Sequence, residues 1–179
     1  MDANTDVNTL IEFLQFPLAS GNPVIEYFAK LPGAVHRKGN NDLDQFVFIE
    51  GNRKNKVVLV AHADTVWDEN YGQTAIRQEL MIEDDKIYNR HGGLGADDRA
   101  GCAIVWELRN LGHSLLIVNG EEHGQIGSEW LIYRNQEIAR QLNQNHQFMV
   151  QFDRRNHSDF KCYNVGTDKF RKYIAASTG

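Results

Sequence analysis

Apolar, strand-like runs in this chain give out on short acidic signatures, and that arrangement narrows the fold before any other feature does. Val57 to Ala61 leads into His62-Ala63-Asp64, and Leu115 to Val118 leads into Asn119-Gly120-Glu121-Glu122. A third signature, Gly95-Ala96-Asp97-Asp98-Arg99-Ala100-Gly101, follows a glycine-rich stretch that begins at Gly92. It opens a segment in which Ala100, Ala103, Ile104, Leu108 and Leu111 fall on one helical face, until Gly112 stops it before the next apolar run. Strand and helix in alternation are the pattern of a sheet covered by helices.

The flanking segments extend that pattern. Val7, Leu10, Ile11 and Leu14 share a helical face over 7–15, and Asn22-Pro23 reads as the N-cap and first residue of a helix running to about Leu31. Phe46 to Ile49 and Val57 to Ala61 are strands around the turn Gly51-Asn52. Short strands are expected near 79–82 and 86–88 about Asp84-Asp85, and again near 147–152 and 160–165. Helices are expected from Gly127-Ser128 to about Tyr133, onward to about Gln144, and at the end from about Thr167. With 179 residues and no repeat, low-complexity tract or Pro/Ser linker, the expectation is one α/β/α domain with a mixed central sheet over 1–179.

Charge excludes some partners. Nineteen Lys and Arg stand against 24 Asp and Glu, a formal net charge of −5, and the acidic excess includes the signature residues. No basic stripe suggests nucleic acid. No apolar stretch reaches transmembrane length, and Met1 to Asn8 is polar and acidic, without the basic and apolar regions of a signal peptide. Cys102 and Cys162 lie far apart in no metal-ligand spacing. A cytoplasmic location is expected.

Each signature has a chemical and a plainer reading. Residues two apart on a strand point the same way, so His62 and Asp64 emerge together at the C-terminal rim, where open α/β sheets keep their sites. His62 can ligate a metal while Asp64 orients it; standing alone, such a pair reads as a structural hydrogen bond. Asp97-Asp98 lies before a helix start, where backbone N–H groups favour negative charge, and one carboxylate there can serve two cations. Asp98 as an ordinary N-cap is the alternative. Glu121 and Glu122 repel one another unless both are solvated or a cation lies between them, in which case one binds metal and the other moves protons.

In this order, His-x-Asp, Gly-x-Asp-Asp-x-x-Gly and Glu-Glu, followed by an apolar strand from Phe148 ending in Asp153, resemble the co-catalytic dizinc exopeptidase superfamily, which includes zinc aminopeptidases and peptidase-T-like tripeptidases. The resemblance runs from about Leu10 to about Ala176. It implies a three-layer α/β/α fold without an inserted lid domain, and His62, Asp97 and Asp153 around one Zn²⁺, with Asp97 bridging to a second that Glu122 also binds. It further implies Glu121 as general base, Asp64 as the orienting partner, and a cis peptide between Asp97 and Asp98. Zinc, cobalt and manganese all accept such nitrogen and oxygen donors.

The same resemblance implies a last His ligand beyond a further strand. His36, His91, His113, His123, His146 and His157 do not occupy its position, although His123 and His157 lie nearest the acidic turn and Asp153. The second metal site is therefore expected to be incomplete, and the sheet to carry an edge open to self-association. The expected reaction is removal of an N-terminal residue from a peptide. A deacylase acting on N-acyl amino acids, or a carboxypeptidase using Arg154 or Arg155 to engage a carboxylate, is the alternative, and an inactive metal-binding or partner-binding homologue is another.

Other features carry less. Gly92-Gly93-Leu94-Gly95 lacks the P-loop lysine and the dinucleotide fingerprint. Cys102 falls on an apolar helix face, and Trp67, Trp106 and Trp130 are too scattered for a base-stacking platform.

Overall fold

The computed structural model describes residues 3–66, 77–90, 92–155, 159–163 and 166–178. His91, His157 and Trp67 lie outside the described residues. In chain order the elements are α1 (Ala3–Leu14), α2 (Asn22–Ala29), β1 (Ala34–Lys38), β2 (Gln45–Ile49), β3 (Val58–His62), β4 (Leu80–Glu83) and β5 (Lys86–Asn89). There follow α3 (Ala96–Leu108) with a 3-10 turn at Arg109–Leu111, β6 (Ser114–Val118), α4 (Ile126–Arg134), α5 (Gln136–Asn145), β7 (Met149–Gln151) and α6 (Asp168–Thr178).

The central sheet is mixed, in the order β1-β2-β6-β3-β7. β1 and β2 run antiparallel to their neighbours, whereas β6, β3 and β7 are parallel. Strict alternation along the inner strands splits the core into two layers. Val47, Leu59, Ala61, Leu115 and Ile117 face a cluster containing Phe13 of α1, Val24, Ile25 and Phe28 of α2, and Cys102 and Val105 of α3. Phe46, Phe48, Val58, Val60, Leu116 and Val118 face Leu131 of α4 and Ile138 and Leu142 of α5. Burial on both faces is why these strands read as continuous apolar runs. The expected α/β architecture with a mixed, helix-flanked sheet is the one observed.

Several details differ from the sequence reading. The edge strand β1 was not expected; its outer half, His36 to Lys38, is exposed, so Ala-Val-His-Arg-Lys lacks the apolar pattern of a buried strand. The strand expected over 160–165 is absent from its described part, 160–163. In α1 the deepest side chain is Phe13, and Val7 is exposed; in α3, Ile104 is exposed while Cys102, Ala103 and Val105 are buried, and Leu111, in the 3-10 turn, is exposed too. The two faces of α3 are separated by contact with β3 rather than by apolar spacing, because small residues let that helix lie close to the sheet. At Gly101 an added Cβ would stand 2.1 Å from Asp98 Oδ1 and 2.2 Å from the Phe152 carbonyl oxygen. The β4–β5 hairpin, a separate two-stranded sheet, turns through Asp84 and Asp85, both at positive φ, where Asp is among the more tolerant residues. No helix among the described residues is long and apolar enough to cross a membrane.

Candidate metal centre

Register delivers the signatures to one rim. His62 pairs with Val118, and Val60 with Gln151, so the chain leaving the three parallel strands carries Asp64, Glu121-Glu122 and Asp153 to the same end of the sheet. α3 packs across β3 and brings Asp97 there too.

His62 is the hub. Its ring is buried, with Nδ1 3.1 Å from the Asp64 carbonyl oxygen and 3.5 Å from Asp64 Oδ1. Donation from Nδ1 to Asp64 turns Nε2 toward the acidic rim, where loss of its proton would free a lone pair for a metal. Nε2 lies 3.2 Å from Asp97 Oδ1 and 4.0 Å from both Glu121 Oε2 and Asp153 Oδ2. Donor atoms of His62, Asp97 and Asp153 all lie within 4.8 Å of one another, as do those of His62, Glu121 and Glu122. All six residues singled out from the sequence thus meet around one imidazole, and Asp97 is close enough to Glu122 for its charge to be felt there.

Asp64 is held differently from the rest. It is buried, accepting from the backbone N–H of Glu121 at 3.1 Å through Oδ1 and of Glu122 at 3.0 Å through Oδ2. Burial alone would raise its carboxyl, but His62 and these two N–H groups outweigh burial and hold it below the usual carboxylate range. The glutamate turn starts at Gly120, whose φ of +71° favours glycine, and its amides are committed to Asp64.

The doublet Asp97-Asp98 divides the labour. The peptide between them is cis, as the resemblance implies. Asp97 is largely exposed and faces His62 Nε2, whereas Asp98 is buried. Asp98, whose backbone is not helical although it lies within α3, accepts through Oδ1 from the Gly101 N–H, as an N-cap does for the turn that follows, and through Oδ2 from the His62 N–H. The plainer reading of the doublet therefore holds for Asp98, in addition to what Asp97 offers.

Carboxylates gathered this closely favour a cation. Burial raises the Asp98 carboxyl to about 8, with His62 opposing and Asp153 adding to the rise. Burial, and then Asp97, raises Glu122 above the usual range; Asp153 is raised by burial and by Asp97 and Glu121, against His62. Burial pulls His62 down, yet the hydrogen bond to Asp64 and the charges of Asp98, Asp64 and Asp153 carry it to about 9. A divalent cation answers the same field, and neutral imidazole with carboxylates is a donor set that Zn²⁺ accepts.

Around the centre, His123 Nδ1 stands 3.6 Å from Asp64 Oδ2, on the wall of a cleft of about 210 Å³ that also includes Leu18, Ser20, Asp42 and Thr65. The other described histidines are occupied elsewhere: His36 by Gln45, His113 by Val57 and Arg53, and His146 by Leu142 and Ser114. Arg154 is engaged by Asp159, with Nε 2.8 Å from Oδ2. Sequence reasoning missed Arg99, which is fully buried directly after the doublet. A cation in a helix's first turn, where the dipole disfavours it, was the available signal.

No curated protein sequence matches the chain. Among solved structures it is similar to aminopeptidase PepT from Bacillus cereus, at 18% identity and a TM-score of 0.60, covering 86% of this chain and 44% of that one. It is similar to aminoacylhistidine dipeptidase from Vibrio alginolyticus, at 18% identity and a TM-score of 0.54, over 72% of this chain and 30% of that one. A metallo-carboxypeptidase of the M20 family from Sulfolobus solfataricus gives 23% identity and a TM-score of 0.51, over 84% and 37%. The chain spans less than half the length of each. These likenesses bear on the fold, and they agree with the dizinc exopeptidase resemblance carried by the motifs. The model of peptidase family M28 matches residues 46–176, a span that takes in every residue of the acidic centre, and the chain belongs to that family.

Proposed function

We propose that the protein hydrolyses peptide bonds with a divalent metal, zinc in the first instance, as an aminopeptidase-type exopeptidase. One observation carries the reading: His62 Nε2 stands within 4.0 Å of carboxylates from Asp97, Glu121 and Asp153 while Nδ1 is tied to Asp64. His62, Asp97 and Asp153 form the first ligand set, and Glu122 serves a second position. A cation bound there polarises a substrate carbonyl and lowers the pKa of water.

The protein's own groups do the rest. Asp64 fixes the His62 ring and, through two N–H groups, the turn that presents Glu121. Glu121 is partly exposed at the rim, positioned to take a proton from the attacking water and return it to the leaving amine. For the carboxypeptidase alternative, which uses Arg154 or Arg155 to engage a carboxylate, Arg154 is paired with Asp159 and Arg155 is exposed.

Parallel variants test the roles. Glu121→Gln is expected to keep metal content while lowering turnover of aminoacyl-anilides by about 10²–10⁴. Glu122→Gln is expected to lower metal content. Equal metal loss in both variants, by elemental analysis, overturns the assignment.

A further inference from the structure

Arg99 is the largest fully buried side chain among the described residues. Among the described residues no carboxylate forms an ion pair with its guanidinium. Nη2 donates to the carbonyl oxygens of Pro17 and Ser20, each at 3.0 Å, while Nε and Nη1 have no hydrogen-bond partner among the described residues. Withdrawing a guanidinium from water is costly, and an apolar side chain of similar volume fills space without that cost. What the arginine adds is reach: from the start of α3 it grips two carbonyls of the loop joining α1 to α2.

That loop is gripped a second time from the other side of the centre. Thr65, one residue beyond Asp64, donates from Oγ1 to the Leu18 carbonyl oxygen at 2.9 Å. The Leu18 side chain also lies over Gly95, so closely that a Cβ there would fall 2.3 Å from Leu18 Cδ2. Residues 17–20 therefore brace the segment bearing Asp97 against the segment bearing His62 and Asp64. Asp98, next to Arg99, completes the frame by joining the Gly101 amide to the His62 amide.

We propose that Arg99 is a positioning residue for this centre, bracing the Asp97-Asp98 turn on the 17–20 loop so that Asp97 Oδ1 meets His62 Nε2. Its functional consequence rests on the metal-binding reading above, whereas the brace is a property of the metal-free protein. The two are therefore tested apart.

Amide hydrogen exchange on metal-free Arg99→Met should show the His62 and Gly101 amides exchanging about tenfold faster or more, with Val47 and Ile117 in the central sheet unchanged. Titration with Zn²⁺ alone should give a Kd raised by about 10–100-fold, the range for outer partners of metal ligands. Arg99→Lys, whose ammonium can reach one carbonyl, should restore part of both. Should the Met variant fail to fold, Arg99→Lys and Thr65→Val carry the comparison, each expected to loosen the same two amides. Unchanged exchange at His62 and Gly101, or equal loosening at Val47 and Ile117, overturns the brace. Failure of the unaltered protein to bind Zn²⁺, Co²⁺ or Mn²⁺ overturns the metal reading instead, and the exchange data still decide the brace.

Discussion

The Asp64 carboxylate accepts the backbone N–H of Glu121 at 3.1 Å, linking the end of β3 to the turn after β6. Its other oxygen takes the Glu122 N–H, so one side chain sets the backbone of both glutamates. A residue that reads in sequence as a partner for His62 thus also governs the neighbouring strand's turn.

Asp64→Ala is expected to leave both amides without their acceptor and to lower unfolding free energy by about 1–3 kcal/mol, in the range for a buried donor left unpaired. Asp64→Asn keeps one acceptor oxygen and should fall between. Urea unfolding measures both, and an Ala variant as stable as the parent would show that the turn does not depend on this contact.

His62 belongs to both three-residue donor sets, whereas Asp153 belongs to one. His62→Ala should therefore abolish tight binding of divalent metal, and Asp153→Asn should weaken the tight site while leaving residual binding by His62 and Asp97. For the unaltered chain, calorimetric titration should give one tight and one weaker equivalent. Two equally tight equivalents would contradict this partition.

Gly101→Ala places a methyl against Asp98 Oδ1 and the Phe152 carbonyl oxygen. Neither is the free end of a flexible chain: Asp98 is buried and bonded to His62, and Phe152 leads from β7 toward Asp153. A loss of about 1–3 kcal/mol, typical of overpacking, is expected on thermal unfolding, together with weaker metal binding. Parent-like values for both would mean that α3 can lift without disturbing the rim.

His113 provides a pH dependence remote from the centre. Val57 N–H lies 3.2 Å from its Nδ1, and Arg53 Nη1 lies 3.2 Å from its Nε2; protonation removes the acceptor from either contact. Burial, then the Arg53 charge, lowers its pKa from the ordinary 6.5. The unfolded chain therefore takes up this proton first, so the stability due to His113 is complete above about pH 6.5 and is lost as pH falls from there through the folded-state value. His113→Asn, which keeps an acceptor but cannot titrate, should flatten stability curves below about pH 6.5, and an unchanged slope would exclude His113 as the source.

The inner strands and the residues at the rim are both legible in the chain. Val58 to Ala61 and Leu115 to Val118 are apolar because both faces of the sheet are covered, and His62, Asp64, Asp97, Glu121, Glu122 and Asp153 stand at or beyond the ends of strands or in the first turn of a helix that reach that rim. Spacing along a chain carries no information about strand register or about what a helix leans on. Only the folded chain shows that Asp64 holds the glutamate amides and that Asp98 turns inward while Asp97 turns out. It also decided the fate of Arg99, whose charge predicts solvent but whose place, between α3 and the 17–20 loop, leaves the guanidinium nowhere to reach except two backbone carbonyls.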